Sequence, residues 1–125
     1  MEINSLKTLY KSSEAVKELA SELQNKQSRI HLLGTAGSSD AFIAEAVASQ
    51  IGGNYLFVLS DKEESAYFYN NLENIIGKKR GTTLLYYPAS YRRPYQIEEI
   101  DNANIIQRTE VLSLIRKKRK KLILT

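Results

Sequence analysis

The chain has 125 residues, enough for one domain with a sizeable core, and its 42% hydrophobic and 26% charged content is ordinary for a globular protein. It contains no cysteine, so disulfides and thiolate metal sites are excluded. The net charge of +4 is local: RKKRKK at 116–121 carries six positive charges, and removing them turns +4 into −2.

The N-terminus lacks the charged and apolar regions of a secretion signal, and no apolar stretch approaches the roughly 18 residues of a membrane span. A cytoplasmic protein is expected. Residues 3–26 read as helix with a break near Ser12, because Leu6, Leu9, Val16, Leu19 and Leu23 recur at helical spacing. Ser12 or Ser13 would cap the second piece. RIHLL (29–33) reads as a short strand, which makes the single histidine, His31, a strand residue rather than a metal ligand. A turn over Gly34 to Ser38 leads into a helix at 39–51 with Phe42, Ile43, Ala46 and Val47 on one side, ended by Gly52 and Gly53.

YLFVLS (55–60) is a continuous apolar run of the kind buried on both faces of a parallel sheet. Ser60 and Glu63 have capping-box spacing ahead of a helix to about Ile76, with Phe68, Tyr69, Leu72, Ile75 and Ile76 facing one way and Gly77 as its stop. TTLLYY (82–87) is a third strand, ended by Pro88. An irregular stretch at 88–100 precedes a helix from about Asp101 to Lys118. LILT (122–125) begins a fourth strand. Strand and helix alternate, which predicts an α/β fold with a mostly parallel sheet flanked by helices. The expected division is a helical segment at 1–28 and an α/β domain at 29–125. A buried-type strand at the end points to a piece of a longer protein. So does the last helix, where Ile105 and Leu112 lie opposite Ala103, Ile106, Val111 and Leu114.

HLLGTAGSSDAF (31–42) has the frame of a phosphate loop, G-x-x-x-x-G-K-[ST]. Such loops aim backbone N–H groups at the anion, add a Lys for the β- and γ-phosphates, and hold Mg²⁺ with a hydroxyl. Gly34 and Gly37 keep the backbone part. Ser39 replaces the second Gly, Asp40 the Lys, and Ala41 the hydroxyl. One unit-charge pair at about 4 Å and an effective dielectric of about 20 is worth roughly 4 kcal/mol, so Asp40 turns attraction into repulsion. A structural loop fits best, with weak anion binding as the alternative. A dinucleotide site needs G-x-G-x-x-G, which is absent; Asp61 could be a ribose acid but fits better as a helix-start acid.

YYPASYRRPYQIEEI (86–100) interleaves Tyr86, Tyr87, Tyr91 and Tyr95 with Arg92 and Arg93. This pattern suits single-stranded nucleic acid, a protein interface, or a Pro-pinned loop packed on the sheet edge. RKKRKK could attract nucleic acid, or be the solvated end of a helix where cations complement the dipole. No carboxylate pair, Ser-His-Asp set or metal-ligand spacing stands out.

GTAGSSDAF, YLFVLSDKEESAYFYNNLE and YYPASYRRPYQIEEIDNANIIQRTEVL, in that order and spacing, resemble the N-terminal region of the bacterial transcription-repair coupling factor family, Mfd, over about residues 25–125. The spelling is similar to that of the Bacteroides group. That region of the family is similar to UvrB, whose loop has the form G-x-x-G-S-G-K-T. Ser38 matches it, while Ser39, Asp40 and Ala41 depart. The resemblance implies a fragment of a UvrB-like helicase domain, kept as a scaffold with a degenerate phosphate loop. UvrB carries a DNA-gripping hairpin after the strand corresponding to 82–87; the stretch 88–100 is too short for one.

What the resemblance implies is a non-catalytic support for recruiting the repair protein UvrA to stalled RNA polymerase. UvrA would be bound mainly by the following domain. RNA polymerase and DNA would be engaged elsewhere in the parent protein, whose downstream motor uses ATP and Mg²⁺. This segment would need no cofactor or metal. Gly34, Gly37, Ser38, Ser39, Asp40 and Ala41 form the degenerate loop, and Tyr91, Arg92, Arg93 and Tyr95 are candidates for a contact surface to other domains of the same chain. Two rivals stand beside this reading: a phosphate-loop enzyme that binds nucleotide, and a stand-alone nucleic-acid-binding module.

Overall fold

A computed structural model describes residues 2–78, 81–89 and 102–117, together with the backbone of 120–124. The chain divides into two compact units, Met1–Gly53 with Asn70–Lys79, and Asn54–Tyr69 with Arg80–Thr125.

The first unit is helical. The predicted break falls at the two serines: α1 is Ile3–Ser12, α2 is Glu14–Leu23, and Ser13 between them is extended (φ −61°, ψ 130°). Ser13 does not cap with its side chain. Its N–H closes α1 on the carbonyls of Leu9 and Tyr10, and the Ser12 hydroxyl donates to the Leu9 carbonyl at 3.0 Å. The third helix, α3, spans Ser39–Ile51, and α4 spans Lys62–Ile76, entering this unit from Asn70 onward. Gly52 ends α3 with a left-handed φ of 65°, its N–H on the Ala48 carbonyl. Packing of α3 on α1 and α2 buries Val16, Ala20, Ala41, Ala46 and Val47. Leu72 is fully buried, with Ile75 and Ile76 beside it in sequence also buried. The inward stripe of α1 runs through positions 6, 7, 10 and 11, so Leu9 lies outside it and is exposed, as is Leu23. Tyr10 stacks on Phe42 with ring centroids 5.2 Å apart.

Two charges lie inside this unit. The Lys7 ammonium donates to the Ile75 carbonyl at 2.6 Å and stands 3.6 Å from Glu45 Oε1, both side chains being buried. Lys11 reaches the same carboxylate oxygen at 3.4 Å, and Gln50 donates to the Lys11 carbonyl.

The second unit holds the strands β1 (Tyr55–Phe57), β2 (Thr82–Tyr86) and β3 (Lys120–Leu124), the first half of α4, and α5 (Asn102–Ile115). The strands pair in parallel in the order β1-β3-β2, with Tyr55 opposite Leu122 and Leu84 opposite Leu122 on the other side. The start of α4 is fixed by Asp61 and Glu64 rather than by Ser60 and Glu63. Asp61 Oδ1 accepts the Glu64 N–H at 2.7 Å, and the Glu64 carboxylate reaches back to the N–H and hydroxyl of Ser60. Phe57 meets Phe68, centroid to centroid 5.2 Å, and Leu85 and Val111 are buried.

The fold class therefore needs correction. Among the described residues the chain is mostly helical: five helices of 10 to 15 residues stand against strands of three and five residues. It is not the mostly parallel sheet flanked by helices that the alternating pattern predicts. The decisive difference is RIHLL. Residues 29–33 form no strand, and Ile30, Leu32 and Leu33 are exposed, the last at 82%. A strand exists through its partners, and apolar character alone does not supply one. His31 is accordingly an exposed residue outside any strand. YLFVLS is shorter than expected and only half covered, with Leu56 and Val58 exposed. On α5 the buried side chain is Val111, whereas Ile106 is exposed along with Ile105 and Leu112.

The packing predicts a clear mutational hierarchy. Leu72→Ala should lower unfolding free energy by about 2–5 kcal/mol in urea titration, through lost contacts and the cavity left behind. Glu45→Ala should cost about 3–5 kcal/mol, since it removes the carboxylate beside the buried Lys7 ammonium. Leu9→Ala, at an exposed position, should stay within about 0.5 kcal/mol of the parent.

Candidate functional site

The glycine loop leads into α3, whose N-cap residue Ser38 makes no side-chain capping bond. Gly34 and Gly37 take left-handed φ angles of 81° and 57° with open space around each, so backbone angle rather than crowding calls for glycine. The Ser39 hydroxyl accepts the Ala36 N–H at 2.9 Å, and the Ser39 N–H donates to the Ala36 carbonyl at 3.2 Å. Asp40 Oδ1 accepts the N–H of Ala41 at 2.6 Å. That N–H belongs to the first turn of α3, among the donors a bound phosphate would use. A carboxylate of the chain stands in the place of the anion, and its charge complements the helix dipole.

Two further features separate this loop from a nucleotide site. Ala41 is fully buried, whereas a hydroxyl that holds Mg²⁺ must face the ligand. Residues 34–45 contain no Lys or Arg, so no cation of the loop's own meets a phosphate. Asp61, the weighed ribose acid, is engaged as the cap of α4.

Of the aromatic and basic stretch, Tyr86 and Tyr87 are described. Tyr86 packs against Tyr69 at 5.7 Å between centroids. Arg108 on α5 places its guanidinium 4.2 Å from the centre of the Tyr87 ring and donates to the Pro88 carbonyl at 2.7 Å. Sequence reasoning missed Arg108. The available signal was its helical spacing with Val111 on the covered side of α5, where a guanidinium over an aromatic ring can replace an apolar contact. Tyr91, Arg92, Arg93 and Tyr95 lie outside the described residues. Of RKKRKK, Arg116 and Lys117 follow the end of α5 at Ile115, and Lys120 and Lys121 belong to β3, in register with Thr82 and Thr83. Among the described residues, no group of three or more His, Asp or Glu side chains could hold a metal, and no helix is long and apolar enough to cross a membrane.

Restoring the letters should not restore the chemistry. The triple variant Ser39→Gly, Asp40→Lys, Ala41→Thr should show no Mg-ATP binding by calorimetry at millimolar nucleotide, because residue 41 points inward. Burying its hydroxyl should also cost about 1–3 kcal/mol in chemical denaturation. Micromolar binding would show that the loop frame is competent and only its side chains are lost. Arg108→Ala should cost about 2–3 kcal/mol, through one charge-assisted hydrogen bond and one cation–π contact.

Compared with protein-family models, with curated proteins and with solved structures, the chain matches none.

Proposed function

We propose that this chain is a non-catalytic scaffold segment of a transcription-repair coupling factor, supporting recruitment of UvrA to RNA polymerase stalled on damaged DNA. Two different supports carry the two parts of this reading. The three sequence segments that resemble the Mfd family supply the biological role and the partners. The mostly parallel sheet that the same resemblance implies is no part of the support, since the chain is mostly helical.

The single structural observation in favour is the Asp40 carboxylate on the Ala41 N–H. A phosphate loop whose first-turn donor is taken by its own acid is built to hold a helix end, not to turn over nucleotide. In this reading the segment needs neither ATP nor Mg²⁺, and both serve a motor elsewhere in the parent protein. UvrA is met mainly by the domain that follows, and Tyr91, Arg92, Arg93 and Tyr95 contact other domains of the same chain.

The test is calorimetry with UvrA, using this chain beside a longer one that continues through the following domain. The expected outcome is micromolar or tighter binding by the longer chain and none by this one. Failure of both to bind UvrA would overturn the assignment, and Mg-ATP binding by this chain would revive a nucleotide-dependent enzyme. Salt-sensitive binding of single-stranded DNA by this chain, lost on changing Arg92 and Arg93 to Ala, would favour a nucleic-acid module instead.

A further inference from the structure

We draw no further inference here: the strongest candidate, the exposed apolar surface of α5 formed by Ile105, Ile106, Leu112 and Ile115, carries nothing, because nothing in the structure shows what covers it.

Discussion

The helical unit depends on one buried ammonium group. Lys7 leaves α1, bonds the Ile75 carbonyl in the last turn of α4, and faces Glu45 from the middle of α3. Each contact answers a local need. The last carbonyls of a helix lack intrahelical partners and sit at the negative end of its dipole. A buried carboxylate needs a counter-charge, and Glu45 has Lys11 as well as Lys7. The buried apolar residues of this unit include Val16, Ala20, Ala46 and Val47 and the larger Leu72, Ile75 and Ile76. Buried ion pairs are weak sources of net stability, because desolvation offsets attraction. Here the pair links α1 to α3 and, through the Ile75 carbonyl, to the end of α4.

The placement of Glu45 reaches the loop. Glu45 lies four residues after Ala41, so both occupy the same side of α3. Holding Glu45 inward turns Ala41 inward too, and both are buried. Asp40, one residue earlier, is rotated by about 100° toward solvent, where its carboxylate closes on the first-turn amide. The arrangement that disqualifies position 41 as a metal ligand thus follows from a charge pair one helical turn away. The loop and the core are one structural solution.

The helices were the legible part of the sequence. The break at Ser12 and Ser13, the end of α3 at Gly52 and the inward face of α4 at Phe68, Leu72, Ile75 and Ile76 all follow from spacing and end signals within one element. The strands at 82–87 and 122–125 and their parallel pairing were legible too, while other features that need a partner were not. RIHLL has strand composition and no strand. In β1, both the inward and outward residues are apolar, so alternation was invisible in the letters. Lys7 and Glu45 carry no sequence signal, because the letters show neither that they meet nor that Ile75 offers a carbonyl to Lys7. For the site, the missing Lys and hydroxyl were plain to read. The bond from Asp40 to its neighbour's amide was not, since it depends on the rotamer that Asp40 adopts.

This bond bears on whether a loop with this frame could hold an anion. A loop that had merely lost its Lys and Thr would still offer backbone amides at a helix start, and would remain a modest anion site. Here an external phosphate must displace a carboxylate that is covalently adjacent, and then remain beside its charge. At about 4 Å and an effective dielectric of about 20, that repulsion is roughly 4 kcal/mol. At about 1.4 kcal/mol per tenfold change, it corresponds to nearly three orders of magnitude in affinity before screening by salt. Asp40 also complements the dipole of the helix end it occupies, so the acid that would oppose a phosphate there suits the fold.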